Sequence, residues 1–363
     1  MRIDRVYLEN FRNYAAQTVT FHPACNVICG ENAQGKTNLL EALCCLSCAK
    51  SHRTRTDKEL IRFGAEGFVL QGEIFSRERE FVSRLEVRRG RRKAMSVNKV
   101  PAKTASELSA VLGTIFFSPE DLGIIKNGPA ERRRFVDMEL CQLDSLYLYN
   151  LNHYNRIVNQ RNKLLKDMYM NPDLKETLGV WDMQLASFGS KIIQRRKLFG
   201  EQLNEIIYGI HRKLSGDREE LAVHYEPDVE AEDFEEKLRA NQDRDIRAKM
   251  TSVGPHRDDF SFIIGDIDIR RFGSQGQQRT AALSLKLSEI ELVKKIAKDA
   301  PILLLDDVLS ELDSNRQNYL LGSIGDIQTI ITCTGLDEFV KHRFEINKVY
   351  QVSEGTVACM NGV

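Results

Sequence analysis

An eight-residue loop with two glycines and a lysine constrains the fold of this chain more than any other feature. It runs from Gly30 to Thr37 and matches the pattern G-x-x-x-x-G-K-[ST], which is specific when a strand precedes it and a helix follows. Apolar residues at 27–29 are typical of a strand, and leucines at helical spacing predict a helix from about Asn38 to Leu46. The chain therefore contains a predicted nucleotide-binding loop within an α/β domain.

The residues of this loop suit a polyphosphate ligand. Glycines allow successive backbone N–H groups to turn towards the phosphates, and the helix that follows directs its positive end at them. Lys36 can reach the β and γ oxygens, and the hydroxyl of Thr37 can bind Mg²⁺. We therefore expect ATP and Mg²⁺ as ligands. The predicted ATP-binding residues are Gly30, Glu31, Asn32, Ala33, Gln34, Gly35, Lys36 and Thr37.

A second motif lies towards the other end of the chain, where a predicted apolar strand at 302–305 is followed by two carboxylates. An apolar strand that ends in Asp is common by itself, but it gains meaning in a chain that also carries the phosphate loop. Asp306 is predicted to hold Mg²⁺ through water, and Asp307 is predicted to position the attacking water. Together with Lys36, these two residues are the predicted catalytic group.

Two short motifs extend the pattern, one at the start of a predicted helix at 277–298 and one a few residues after the carboxylates. Taken alone, a Ser and a Gly before a helix indicate only an N-terminal cap. The first motif consists of Ser274, Gln275, Gly276 and Gln277 and resembles the ABC signature, and the second consists of Ser310, Glu311, Leu312 and Asp313 and resembles the D-loop.

All four elements occur in the order and register that ABC-type ATPases use. In that superfamily, the signature of one subunit binds the γ-phosphate that is held by the phosphate loop of another subunit. Hydroxyl and backbone donors at a helix N-terminus suit this contact, because they approach an anion closely and favour its charge. The resemblance therefore implies an ATP-dependent homodimer with composite nucleotide sites.

The distribution of apolar residues predicts how the chain is organised. Strand-like alternation dominates up to about residue 120, long helices follow from Glu131 to about Ser215, and an acidic, poorly patterned stretch leads to Thr251, where α/β patterns return. The predicted fold class is α/β: an ABC-type ATPase head built from residues 1–125 and 250–363, with an inserted, mainly helical domain at 126–249 that forms a shortened arm, or second lobe.

Composition argues against several classes of protein. No apolar run reaches the roughly 18 residues of a membrane helix, and the first residues lack the apolar block of a signal peptide, so a cytoplasmic protein is expected. Eight cysteines, with no second Cys or His pair at zinc-finger spacing from Cys45 and Cys48, favour reduced thiols over a metal site.

Basic and acidic residues balance at 52 each, so any contact with DNA must come from local patches such as the basic stretch at 77–103.

Further segments resemble the RecF family of bacterial DNA repair and recombination ATPases. Leu8 to Tyr14 is similar to the opening strand motif of that family. Ser118 to Asp121, followed by Gly128-Pro129 and by Glu131 to Phe135, resembles its lobe junction. Gly254 to Asp259 is typical of this family rather than of transporter ATPases. The resemblance covers nearly the whole chain.

The resemblance implies a role in recombinational repair, the SOS response and replication-gap processing. It implies an ATP-induced dimer that binds double-stranded DNA or single-strand/double-strand junctions and cooperates with RecO and RecR so that RecA is loaded. A weak, DNA-stimulated ATPase acting as a switch is expected. The alternatives are an SMC-like chromosome ATPase head, an ABC transporter subunit and a structural DNA-binding protein. The short insert, which lacks sustained heptads, argues against a long coiled-coil ATPase.

Departures from the general ABC pattern predict slow hydrolysis. Asp307 stands where many relatives have Glu, Gly273 stands where the signature often has Leu, and Thr334 fills a switch position that His often holds. The segment 119–121 lies where related heads carry a Gln that senses the γ-phosphate. A shorter carboxylate and a missing imidazole should position water less well, which suits a timed switch better than a motor.

Three charged clusters have two interpretations each. Residues 88–93 look like a hairpin tip that either contacts phosphates or is merely solvated. Residues 132–134 open a helix and either contact DNA or the ATP site or form a solvated face. His256, with Asp258 and Asp259, favours a structural or phosphate-adjacent role over a metal site. The candidate DNA-binding residues are Arg88, Arg89, Arg91, Arg92, Arg132, Arg133 and Arg134.

Overall fold

The computed structural model describes residues 1–54, 56–325, 327–335 and 346–360. The chain forms two compact units, the first from Met1–Asp121 with Lys286–Val363 and the second from Leu122–Leu285. Strands and helices alternate as the α/β class requires, so that prediction is confirmed. The predicted domain limits at 1–125, 126–249 and 250–363 remain a prediction. In the part of the chain that is described, no helix has both the length and the apolar character needed to cross a membrane.

Strands and helices are numbered along the whole chain. The strands are β1 (Arg2–Phe11), β2 (Tyr14–Thr20), β3 (Cys25–Cys29), β4 (Gly67–Ser76), β5 (Arg79–Arg88), β6 (Ala94–Val97), β7 (Val100–Pro101), β8 (Thr114–Phe117), β9 (Leu221–Glu226), β10 (Asp259–Ile264), β11 (Ile267–Asp268), β12 (Ile302–Asp306), β13 (Thr329–Cys333), β14 (Lys348–Ser353) and β15 (Thr356–Met360). The helices are α1 (Lys36–Cys48), α2 (Ala105–Ser109), α3 (Leu122–Lys126), α4 (Pro129–Leu143), α5 (Ser145–Asp167), α6 (Leu178–Ser215), α7 (Phe234–Ala240), α8 (Gln242–Ala248), α9 (Ile269–Phe272), α10 (Gln275–Ala297) and α11 (Ser314–Ile324).

The first unit contains two sheets of six described strands each. One is antiparallel, with the order β2-β1-β4-β5-β6-β7. The other has the order β15-β14-β3-β13-β12-β8, and all its neighbours run parallel except the antiparallel pair β14 and β15. The carboxyl ends of β3, β13 and β12 therefore meet at one edge of the parallel sheet, where ligands of such sheets bind.

Helix α1 joins the two sheets into one core. Its residues Leu39, Leu43 and Leu46 are at most 1% exposed and belong to an apolar cluster that also contains residues of both sheets. The predicted helix at 38–46 is confirmed and is one turn longer, since it begins at Lys36 and ends at Cys48. Because α1 is buried on nearly all sides, the phosphate loop at its N-terminus is attached to a rigid element.

The second unit combines long helices with a small antiparallel sheet in the order β11-β10-β9. Helices α4, α5 and α6 confirm the prediction of long helices between about 131 and 215. Strand β9 lies in the acidic stretch for which no element was predicted. Its inward residues Leu221 and Val223 are buried, but ten carboxylates between Asp217 and Glu236 hide this short alternation in the sequence.

Candidate nucleotide site

The two glycines of the phosphate loop stand where a side chain would not fit. Gly35 has a φ of 121°, in the region that side chains rarely adopt. A Cβ atom on Gly35 would also lie 2.6 Å from Asn13 Nδ2, and one on Gly30 would lie 2.5 Å from the carbonyl oxygen of Val352. The two glycines of the motif are therefore required by crowding as well as by conformation.

Asn13, in the turn before β2, and Tyr14, the first residue of β2, hold the loop through its carbonyl groups. Asn13 Nδ2 donates to the Gln34 carbonyl at 2.8 Å, and the Tyr14 hydroxyl donates to the Gly35 carbonyl at 2.9 Å. Asn38, in the first turn of α1, donates to Asn13 Oδ1 at 2.9 Å. Sequence reasoning placed Asn13 and Tyr14 in a family motif but assigned them no role. Their contacts show that they fix the carbonyl groups of the loop and so the direction of its N–H groups.

Lys36 lies within the loop rather than in solvent. Its side chain is 4% exposed, and Nζ donates to the carbonyl oxygens of Gly30 at 2.7 Å and Glu31 at 3.0 Å. A buried ammonium group needs such acceptors, because burying a charge without partners is costly. The cation is thus held at the mouth of the loop, where a polyphosphate would bring its negative charge.

Asp306 meets the loop from the end of β12. Its Oδ1 accepts a hydrogen bond from the Thr37 hydroxyl at 3.0 Å and another from the Thr332 hydroxyl at 2.7 Å. Thr37 and Asp306 present a hydroxyl and a carboxylate oxygen side by side, and Mg²⁺ prefers oxygen ligands of this kind. The residues present therefore fit Mg²⁺ together with a nucleotide. Thr332, on β13, was not predicted, because no motif identifies a Thr in an apolar strand.

Asp307 adopts a strained backbone at the same edge. Its φ is 52°, and its N–H group donates to Thr332 Oγ1 at 3.1 Å. Burial raises the pKa of the Asp307 carboxyl above its usual value, the nearby Lys36 ammonium lowers it, and the neighbouring Asp306 carboxylate raises it further. A positive φ in a non-glycine residue is uncommon and occurs often at functional sites.

The segment that resembles a D-loop follows soon after Asp307. Ser310 Oγ donates to the backbone carbonyl of Asp307 at 2.8 Å. This bond fixes the segment to the backbone of the residue that carries the second carboxylate. Asp313 caps helix α11 and accepts from the N–H groups of Asn315 and Arg316 at 3.1 and 3.0 Å. Ser310, Glu311, Leu312 and Asp313 thus form one compact turn between β12 and α11.

The segment that resembles the signature lies in the second unit and forms a helix cap. Ser274 Oγ accepts from the Gln277 N–H group at 3.2 Å, and Gln277 Oε1 accepts from the Ser274 N–H group at 2.8 Å. Ser274, Gln275 and Gly276 are exposed. A Cβ atom on Gly273 would lie 2.5 Å from the Ile269 carbonyl oxygen, which explains why Leu does not stand there.

Two further predicted positions, the segment 119–121 and Thr334, follow the carboxyl ends of the parallel strands β8 and β13. The segment Pro119–Asp121 forms a single helical turn after β8, in which Asp121 accepts from the Ser118 N–H group at 2.7 Å. Burial raises the pKa of the Asp121 carboxyl. Thr334 follows β13 directly and is exposed.

The predicted basic tip is a hairpin tip, as expected. It connects β5 and β6, which are antiparallel, and it contains Gly90 at a φ of 71°. Arg88, Arg89, Arg91 and Arg92 are exposed, and Arg88 pairs with Glu86 at 2.7 Å. For Arg91 and Arg92, no carboxylate partner occurs among the residues described. Their guanidinium groups are available to an anionic ligand.

Arg132 has a different environment from the tip. Its side chain is 1% exposed, and it binds both oxygens of Asp259, through Nε at 2.6 Å and Nη2 at 3.0 Å. Arg133 donates to the Asp258 carbonyl oxygen at 2.6 Å. The two arginines therefore anchor the segment 254–259 within the second unit, and the DNA contact predicted for Arg132, Arg133 and Arg134 remains a prediction. The run at 132–134 looks like a charged surface in sequence, but helical geometry turns Arg132 inward.

His256 has a contact at both ring nitrogens within the same unit. One ring nitrogen, Nε2, lies 3.1 Å from the Thr251 carbonyl oxygen, and the other, Nδ1, lies 2.7 Å from the Tyr154 hydroxyl. Asp258 is fully buried and accepts from Arg196 at 2.8 Å. Among the residues described, no group of His, Cys, Asp and Glu side chains could hold a metal ion. The structural interpretation of this cluster is the one its contacts support.

The parallel sheet, the loop between β3 and α1 and the acidic end of β12 define a class: an ATPase head of the RecF/RecN/SMC type. Over residues 2–358 the chain matches the family described as RecF/RecN/SMC N terminal domain. Within that class, the chain belongs to the RecF family. It is 53% identical over 363 residues to the DNA replication and repair protein RecF of Lachnospira eligens, covering 99% of this chain and 100% of that protein. It is 54% identical over 357 residues to the protein of the same name from Agathobacter rectalis, covering 98% of this chain and 99% of that protein.

Solved structures agree with this assignment. A structure of the recombination mediator protein RecF with ATP, in the RecFOR pathway, superimposes with a TM-score of 0.92 at 34% identity and covers 99% of this chain and 97% of that one. The Smc head domain of Pyrococcus furiosus, bound to the C-terminal domain of ScpA, has a TM-score of 0.54 at 18% identity. The second likeness concerns the fold alone. The transporter alternative is not supported by these relationships.

Proposed function

We propose that this chain is an ATP-dependent DNA-binding protein of recombinational repair and replication-gap processing, acting in the cytoplasm. The observation that carries the proposal is the meeting of Lys36, Thr37 and Asp306 at one edge of the parallel sheet. The curated RecF relatives are named DNA replication and repair proteins, and a RecF structure contains ATP. Family membership and site chemistry thus point to the same activity.

In the proposed site, the N–H groups of the loop and the Lys36 ammonium bind the β- and γ-phosphates. Thr37 and, through water, Asp306 would hold Mg²⁺, and the ion would neutralise phosphate charge during transfer. Asp307 positions the attacking water. Its carboxylate is one methylene shorter than the Glu of many relatives, and its backbone is strained, so hydrolysis is slow. The enzyme is therefore a weak ATPase that works as a switch, stimulated by DNA.

The site is completed by a second copy of the chain. Ser274, Gln275 and Gly276 are exposed at the N-terminus of α10, a helix of 23 residues, and so can approach an anion held elsewhere. In the proposed homodimer, each copy presents this segment to the γ-phosphate in the partner's loop. ATP binding then drives dimerisation, and hydrolysis reverses it.

DNA binds the dimer through local basic patches rather than through net charge, which is zero at pH 7. Arg88, Arg89, Arg91 and Arg92 supply such a patch. Double-stranded DNA and single-strand/double-strand junctions are the proposed ligands. Cooperation with RecO and RecR in loading RecA is proposed from the RecFOR pathway named for the structural relative.

Light scattering after gel filtration tests the proposal. The purified chain is run with ATP and Mg²⁺, with ADP, and without nucleotide, each in the presence and absence of duplex DNA. We expect a dimer with ATP, a monomer without it, and co-elution of DNA with the dimer. A monomer in every condition would contradict the composite site, and a dimer that ignores DNA would contradict the DNA-binding role.

A further inference from the structure

Phe63 is the large apolar side chain with the highest exposure among the described residues, at 100% of its surface. It occupies the first corner of a tight turn that is closed by a hydrogen bond from the Ala65 N–H group to the Arg62 carbonyl at 3.0 Å. Gly64 takes the second corner with a φ of 81°, as a turn of type II requires. A second bond, from the Arg62 N–H group to the Asn10 carbonyl at 2.9 Å, ties the turn to β1. The ring is therefore presented to solvent by an ordered turn.

The turn lies beside the basic hairpin tip. The Arg89 N–H group donates to the Glu66 carbonyl at 2.9 Å, and Arg89 Nε donates to the Ala65 carbonyl at 3.3 Å. In the register of β4 and β5, Gly67 pairs directly with Arg88. A groove next to the turn is lined by Arg62, Phe63 and Arg88, among others. The ring and the guanidinium groups thus belong to one surface.

The charge of this surface is positive but not uniform. The exposed arginines are Arg62, Arg88, Arg89, Arg91 and Arg92, whereas the neighbouring carboxylates are Glu9, Glu66 and Glu86. Glu86 already pairs with Arg88 at 2.7 Å and with Arg84 at 3.2 Å. Arg62, Arg89, Arg91 and Arg92 have no carboxylate partner among the described residues, and the last three belong to the tip itself.

An exposed aromatic ring among arginines suits a nucleic acid with unpaired bases. Arginines attract the phosphate backbone, and each unpaired base offers a flat face that stacks on an aromatic side chain without regard to sequence. Within a duplex these faces are covered by neighbouring base pairs, so a ring on a rigid turn finds a partner only where the duplex ends in a single strand. We infer that Phe63 stacks on an unpaired base next to the duplex that the basic tip binds. This inference rests on the proposed DNA binding.

The test compares two DNA ligands with the full chain in the presence of ATP and Mg²⁺. One is a blunt duplex, and the other is the same duplex with a single-stranded tail of 12 thymidines (roughly the site size of one single-strand-binding module). Affinities are measured by fluorescence anisotropy for the unsubstituted chain, Phe63→Ala and Phe63→Trp. The matched control is Tyr169→Ala, which removes another ring that is 78% exposed but lies in the second unit.

We expect the unsubstituted chain and Phe63→Trp to bind the tailed duplex about tenfold more tightly than the blunt one, in line with one stacked base. Phe63→Ala should lose this preference and keep its affinity for the blunt duplex, and Tyr169→Ala should keep both. Photocrosslinking with 5-iodouracil placed in the tail next to the duplex should attach to the peptide that contains Phe63.

Two outcomes separate failure of this inference from failure of the proposed function. If Phe63→Ala keeps the full preference for the tail, and the crosslink maps elsewhere, the stacking role is wrong while DNA binding survives. If the unsubstituted chain binds neither ligand with ATP, the proposed DNA-binding function itself is wrong. A loss of affinity of Phe63→Ala for both ligands alike, with a normal melting temperature, would assign the ring to duplex binding and also overturn the inference.

Discussion

The Thr37 hydroxyl lies 3.0 Å from Asp306 Oδ1, although the two residues are 269 positions apart in the chain. The contact joins the first turn of α1 to the last residue of β12, which β13 separates from β3 in the parallel sheet. It places side by side the hydroxyl and the carboxylate that are predicted to hold Mg²⁺. The contact depends on the sheet order β3-β13-β12, which brings the end of β12 close to the loop.

Replacing Lys36 with Ala should abolish measurable ATP binding. The ammonium group is buried and held at the mouth of the loop, and each hydrogen bond to a charged partner contributes on the order of 1.5–3 kcal/mol. Loss of contacts to two phosphates should therefore weaken binding by more than about a hundredfold. Titration with a fluorescent ATP analogue measures this, and the exposed Lys50→Ala serves as the control. Tight binding by Lys36→Ala would refute the assignment of the loop.

Ser274→Arg should leave ATP binding to the monomer intact and prevent dimerisation. The residue lies at the exposed N-terminus of α10, where a long cation would occupy the space of the partner's γ-phosphate. The substitution also removes a helix cap, at a cost of about 1 kcal/mol, so the melting temperature has to be recorded. Light scattering with ATP gives the result, and Asp266→Arg adds the same side chain to an exposed turn as a control. A normal ATP dimer of Ser274→Arg would rule out the composite site.

Asp307→Asn should keep the ATP dimer and prolong its lifetime. Neutralising the carboxylate removes the group that positions water and leaves the contacts of the loop in place. Loss of such a group lowers the hydrolysis rate by about a hundredfold or more. Single-turnover hydrolysis and the decay of the dimer should slow together. An unchanged rate would transfer the role to another residue, of which Glu120, exposed in the turn after β8, is the first to test.

Duplex DNA should bind more tightly with ATP than without it, and with a steeper dependence on salt. A dimer brings two copies of the basic tip to the DNA, and each phosphate neutralised adds roughly one unit to the slope of log affinity against log salt. Replacing Arg88, Arg89, Arg91 and Arg92 together with Ala should flatten that slope in the ATP state. Equal affinities with and without ATP over a salt series would disprove the coupling of nucleotide to DNA. An unchanged slope in the substituted chain would show that the tip is only solvated.

The second unit should lose stability in mild acid because of His256. The Thr251 carbonyl can only accept, so the proton of the neutral ring is on Nε2, and Nδ1 accepts from the Tyr154 hydroxyl. Burial lowers the pKa of His256 below its usual 6.5. Between the two pKa values the unfolded chain binds more protons than the folded chain, so this contribution is complete above about pH 6.5 and falls as the pH drops towards the folded pKa.

Urea unfolding at pH 7.5 and pH 5.5, followed by the fluorescence of the single Trp181 in α6, measures that loss. The free energy of unfolding should fall between the two pH values by at most about 1.4 kcal/mol for each pH unit on account of one histidine. His256→Gln should reduce the fall, whereas His224→Gln, at an exposed position of β9, should not. A fall of the same size in His256→Gln would show that other groups cause it.

Much of the nucleotide site was predictable from sequence because its parts are local. The loop at 30–37 needs glycines where the backbone turns sharply, α1 follows at helical spacing, and Asp306 ends an apolar strand. Each of these signals lies within a dozen residues, and the structure has the strand, the loop and the helix where they were predicted. The hairpin tip at 88–93 was predictable because a run of charged residues around Gly90 follows the predicted strand at 81–87.

The rest depended on partners that are distant in the chain. Asn13 and Tyr14 fix the loop from β2, and Thr332 holds Asp306 from β13, yet none of the three carries a motif that states its role. Arg132 looks like part of a charged run, but Asp259, 127 positions away, turns it into a buried anchor. The sequence by itself determined the class of site and the order of its elements, because backbone conformation and periodicity are local properties. Only the tertiary structure decided which side chains support the site, because that depends on which strands become neighbours.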